Sequence, residues 1–130
     1  MKRVTGIGGI FFKSQDPKEL REWYKQHLGI DAGDYGATFQ WREENEPEQL
    51  GYTLWSPFPH DTKYFDPSTA SFMINYRVAD LDGLVSALRE EGVAVEKVES
   101  CEYGRFAWIS DPEGNRIELF EPASDSEAEA

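Results

Sequence analysis

The chain is poor in the residues that build metal cages and anion clamps. Among its 130 residues are one cysteine and two histidines, and 13 Lys and Arg stand against 25 Asp and Glu. With Cys101 alone, neither an intrachain disulfide nor a cysteine-based zinc cage can form. A net charge of −12 argues against a nucleic-acid backbone or an anionic membrane as partner, since both require Lys/Arg clusters. Long apolar runs are missing as well. The N-terminal stretch MKRVTGIGGIFFK is broken by three glycines and closed by Lys13, so it fits neither a secretory signal nor a membrane span. A cytoplasmic protein with no nucleic-acid or membrane partner is expected. What the chain has in quantity is aromatic: four Trp, six Tyr and eight Phe, enough for a folded core.

The order of elements repeats. Residues 4–13 (VTGIGGIFFK) read as a strand. Asp16 is placed to cap a helix, with Pro17 at its first position and Glu19 completing a capping box. Leu20, Trp23, Tyr24 and Leu28 form one apolar helical face, and Gly29 stops it. Two strand-like runs follow, YGATFQWRE (35–43) and GYTLWSP (51–57). The second half replays this with a strand at 72–78, a helix capped by Asp80 and a stop at Gly92. Leu81, Leu84, Val85 and Leu88 make the buried stripe of that helix. Strands at 93–100, 103–111 and 115–122 then follow, the last two joined by the turn DPEGN. The pattern is a duplicated βαβββ module, at about 1–57 and 71–122, with a connector at 58–70, all in one domain ending near residue 122. Residues 123–130 (ASDSEAEA) read as a disordered acidic tail, and REENEPEQ (42–49) as a solvated hairpin loop. The expected fold is α+β, a partly open barrel made from the sheets of the two modules with the helices outside. Its inner face is left for a ligand.

This duplication, the helix starts at Asp16 and Asp80, and the closing DPEGNRIELFEP resemble the vicinal oxygen chelate superfamily. That group comprises glyoxalase, bleomycin-resistance and extradiol dioxygenase proteins. The resemblance covers residues 4–122. It implies a divalent metal held by His, Glu or Gln at four equivalent strand positions, which here hold Gly9, Thr53, Met73 and Glu118. Of these Glu118 is a competent ligand, whereas a glycine, a neutral hydroxyl and a thioether are not. No cofactor is therefore expected, with a divalent metal on atypical ligands such as His60 as the alternative. The resemblance also implies a homodimer.

Strand alternation sets the predicted inner face once those positions fix its phase. Gly9, Phe11 and Lys13 point inward, as do Gly51, Thr53 and Trp55, then Met73, Asn75 and Arg77, then Arg116, Glu118 and Phe120. For the two remaining strands either Thr38, Gln40, Phe106 and Trp108 point inward, or Phe39, Trp41, Arg105 and Ile109 do; the first is preferred. The ligand-binding candidates are Phe11, Lys13, Thr53, Trp55, Met73, Asn75, Arg77, Trp108, Arg116 and Phe120. Glu118 is the catalytic candidate, or else an inward carboxylate neutralised by Arg77 or Arg116. With Lys13, Arg77 and Arg116 inside, the pocket is expected to be locally positive. The function expected first is binding of a small organic molecule without the usual metal. One alternative is a metal-dependent lyase, isomerase or dioxygenase of the same superfamily; another is a non-catalytic interaction module.

Overall fold

The computed structural model describes residues 3–123, so the expected tail beyond Ala123 lies outside the described residues. The chain runs β1 (Val4–Ser14), α1 (Pro17–Leu28), β2 (Ala37–Arg42), β3 (Leu50–Pro59), β4 (Phe72–Val78), α2 (Leu81–Glu90), β5 (Lys97–Cys101), β6 (Gly104–Ser110) and β7 (Arg116–Pro122). Seven strands form one mixed sheet in the order β2-β3-β1-β4-β7-β6-β5. The duplication is visible in this order. β1 pairs with β3 in parallel, β4 pairs with β7 in parallel, and β1 meets β4 antiparallel at the centre. The sheet is open rather than closed into a barrel, and the helices lie outside.

The halves are not equal. After α1 the first module has two strands and an isolated bridge between Gly33 and Gly36, where the second has three full strands. The strand expected from residue 93 begins at Lys97.

Both helix starts use an aspartate. Asp16 Oδ1 accepts from Glu19 N at 3.1 Å, and Asp80 Oδ1 accepts from Gly83 N at 3.0 Å. The capping box at Asp16 is completed differently from expectation. Its backbone N–H donates to Ser14 Oγ at 3.2 Å. Gly29 ends α1 in the left-handed region, φ 71°.

Two apolar clusters sit on opposite faces of the sheet. Beneath α2, Leu81, Leu84 and Val85 pack on Val78, Ala107 and Leu119. On the other face Phe11, Met73 and Trp108 pack around Phe65, whose side chain is fully buried. Phe65 comes from the connector, which therefore folds back onto the sheet. Alternation explains the division: odd residues of β7 meet α2, while Glu118 and Phe120 face away from it.

Candidate functional site

The face away from the helices holds a cavity of about 680 Å³. Its wall includes Phe11 from β1, Asn75 and Arg77 from β4, Phe106 from β6, and Glu118 and Phe120 from β7. From β3 it takes Tyr52, Leu54, Ser56 and Phe58. The predicted inner face is thus assembled from β4 and β7, and the preferred phase of β2 and β6 holds for Thr38 and Phe106. On β3 the phase differs. Trp55 packs against Phe12 and against Tyr24 of α1, with ring centroids 5.3 and 4.8 Å apart. Thr53 accepts from Trp41 Nε1 at 2.8 Å and donates to the Ile7 carbonyl. The register gives the reason. Phe11 lies opposite Ser56, and Gly9 opposite Leu54, so even-numbered β3 residues share the cavity side with Phe11. YTLWSP is apolar or aromatic at both phases, so matching it to IELFEP does not fix its phase.

Glu118 is the polar centre of the wall, with 2% of its surface exposed. Its carboxylate accepts from three side chains: Asn75 Nδ2 at 2.6 Å, Trp108 Nε1 at 3.0 Å and the Tyr64 hydroxyl. All three donors are neutral. Of the two arginines expected to neutralise Glu118, Arg116 is turned elsewhere. Arg116 pairs with Glu96, Nε to Oε2 at 3.2 Å, and donates to the Tyr64 carbonyl at 2.5 Å. Burial, followed by the charge and hydrogen bond of Glu118, pushes the Tyr64 hydroxyl well above its ordinary pKa, so it stays a donor.

The remaining candidates sit outside the wall. Met73 is fully buried in the cluster around Phe65, and Trp108, 3% exposed, reaches the site through its indole N–H. Lys13 Nζ lies 5.7 Å from the Phe65 ring centre. The wall accordingly holds Arg77 with two acids, Asp34 and Glu118, so the expected positive pocket is not formed. His60 is exposed in the turn after β3, and exposed His27 lies tilted against the Trp23 ring, centroids 4.8 Å apart. Sequence reasoning missed Tyr64; its signal is the aromatic pair Tyr64-Phe65 inside the largely polar run 60–69 of the connector.

The glycines of GIGG serve close approach rather than nucleotide binding. A Cβ on Gly8 would fall 2.3 Å from Asn75 Oδ1, and one on Gly9 would fall 2.6 Å from the Phe11 ring. Bare backbone here lets Asn75 and Phe11 lie over β1. A separate depression of about 620 Å³ on the helix side is lined by Asp82, Val85 and Arg105, and the first and last of these form an ion pair.

The residues around Glu118 do not fit a divalent metal. Indole and amide N–H groups aim hydrogens at the carboxylate and offer an ion no lone pair. Among the described residues no three His, Cys, Asp or Glu side chains converge.

The paired modules and their shared sheet are those of a known group, and the family model "Glyoxalase/Bleomycin resistance protein/Dioxygenase superfamily" matches residues 6–119. The chain belongs to this superfamily. Among solved structures it is similar to methylmalonyl-CoA epimerase from Mycobacterium tuberculosis, at 24% identity and TM-score 0.62, covering 100% of this chain and 95% of that one. A Streptomyces coelicolor methylmalonyl-CoA epimerase variant in complex with 2-nitronate-propionyl-CoA gives 19% identity and TM-score 0.66, covering 93% and 99%. A structure described as NAD-dependent benzaldehyde dehydrogenase from Legionella pneumophila gives 12% and 0.56, covering 88% and 98%. At these identities the likeness shows the fold alone. No curated protein matches the chain. No helix among the described residues is long and apolar enough to cross a membrane.

Proposed function

We propose that the chain is an isomerase- or lyase-type enzyme that moves a proton on a small organic molecule held in the cavity, with Glu118 as the proton acceptor. The observation that carries this is a carboxylate buried in an aromatic cavity wall and held in place by Tyr64, Asn75 and Trp108. A C–H bond next to an electron-withdrawing carbonyl breaks and the proton passes to Glu118. The bonding pair moves into the carbonyl as an enolate; reprotonation at carbon from the opposite face by solvent, with Glu118 returning its proton to water, completes the isomerisation. The balance needs neither oxidant nor metal. The epimerase neighbours support a reaction of this class. Their CoA thioester fits this chain less well, since the wall offers Arg77 beside two acids where phosphates call for several cations.

Solvent-deuterium incorporation tests the reading. Methylmalonyl-CoA and a set of small β-keto esters are incubated with the protein in D₂O and followed by mass spectrometry. Catalysed exchange is expected for at least one β-keto ester, falling about 100-fold or more in Glu118→Gln. Ligands that bind without any exchange would instead favour a sequestering protein. Self-association into a dimer, which the family resemblance implies, is a separate proposal, checked by light scattering.

A further inference from the structure

The cavity wall holds a buried acid that its hydrogen-bond partners do not neutralise. Asn75 is 4% exposed, and its Oδ1 has no hydrogen-bond partner among the described residues. Its orientation follows from chemistry: the amide NH₂ must face the Glu118 carboxylate, which accepts from it at 2.6 Å, so the oxygen points away. That oxygen lies against bare β1 backbone, where a Cβ on Gly8 would fall 2.3 Å from it, so it is not offered to the cavity. Beside it Glu118 brings a buried negative charge whose partners are neutral, although buried charges are ordinarily paired with a cation. A carboxylate has about four lone-pair directions, and three donors leave Oε1, next to Asn75, with one to spare.

The surroundings have the same sign. Arg77, the cation of the wall, sits with its guanidinium 5.4 Å from the Trp41 ring centre and is engaged there. Asp34 lines the same cavity, and the whole chain carries −12, so the long-range field draws cations in. Aromatic rings complete the enclosure. Phe58 and Tyr64 stack at 5.8 Å, Phe106 and Phe120 at 4.6 Å, and such faces hold both a flat apolar body and a positive charge.

We propose that the ligand of this cavity carries a protonated nitrogen on an aromatic or otherwise apolar body, with its N–H and its charge directed at the Glu118 carboxylate. This rests on the cavity being the ligand site and is independent of whether the ligand is turned over. It sets the chain apart from one that takes a polyanionic thioester.

Three isosteric probes test it by titration calorimetry at neutral pH: naphthylethylamine, naphthylethanol and naphthylacetate. The amine is expected to bind at least about tenfold more tightly than the alcohol, a difference of about 1.4 kcal/mol, and the carboxylate more weakly still. In Glu118→Gln the preference of amine over alcohol disappears. The ranking of probes on the unmodified protein needs no variant and stands even if one fails to fold. A carboxylate that binds as tightly as the amine, an alcohol equal to it, or no binding by any of the three overturns the proposal. Deuterium exchange with a carboxylate-preferring cavity would sink this inference and leave the proton-transfer reading standing.

Discussion

The two helices begin alike and are used differently. Each starts on an aspartate that accepts from the backbone N–H three residues on, and each is followed by a glycine with positive φ. Yet α2 buries Leu81, Leu84 and Val85, while α1 buries none of its residues. Trp23 and Leu28, on the apolar face of α1, are 51% and 61% exposed. The sheet beneath explains the contrast. Under α2 the strands present small or branched side chains, Val78, Ala107 and Leu119, over which the helix settles closely. Under α1 they present Phe12 and Trp55, and Tyr24 meets the Trp55 ring edge-on at the surface. One repeated plan has thus yielded a half that holds the fold and a half that shapes the rim.

The largest test of this division is a pair of truncations. Leu84→Ala removes a side chain that is 4% exposed and is expected to destabilise by about 2–5 kcal/mol. Trp23→Ala, although it deletes more atoms, should stay within about 1 kcal/mol because the ring is half in solvent. Urea unfolding measures both, and equal losses would break the comparison.

What the sequence disclosed follows the same line. The repeat, the cap aspartates and the glycine stops are local signals, and each is found where its chemistry put it. Inward residues on β4 and β7 were legible because the matched positions Met73 and Glu118 set a phase in which Asn75, Arg77 and Glu118 alternate with apolar neighbours. On β3 the alternation is blurred by bulky residues on both faces, so Thr53 and Trp55 gave no sign of their side. Tyr64 was hidden for another reason. Its role depends on the connector folding back some fifty residues away in sequence, a contact that no periodicity encodes. Nor could charge counting foresee that Arg116 would turn to Glu96 and leave Glu118 among neutral donors.

A smaller effect sharpens the comparison at the caps. Asp16→Ala and Asp80→Ala each remove one hydrogen bond to an N-terminal N–H and should each lose about 1 kcal/mol. The two losses are expected to match because the bonds match, 3.1 and 3.0 Å, whatever the helix buries. Thermal melts of both variants would show whether a loss at Asp80 is several times larger. In that event α2 docking depends on its cap, and the difference between the halves begins at the helix start rather than in the stripe.

The smallest effect at neutral pH lies where the halves are tied together. The Tyr64 ring stacks on Phe58 of the first module, and its hydroxyl donates to Glu118 of the second. Burial, with the Glu118 charge behind it, raises its pKa above the ordinary 10.0. In the unfolded chain the hydroxyl ionises near that value, whereas in the folded chain it holds its proton. The stability linked to it is therefore complete below pH 10 and drains away as the pH climbs toward the raised value. Tyr64→Phe keeps the stack on Phe58 and deletes the ionisation, so its stability should fall less steeply above pH 10 than that of the unmodified protein. Denaturant midpoints between neutral and strongly alkaline pH would report the difference. Parallel curves would mean that the hydroxyl is not held by Glu118, and the connector would then join the modules through Phe65 and the aromatic stack alone.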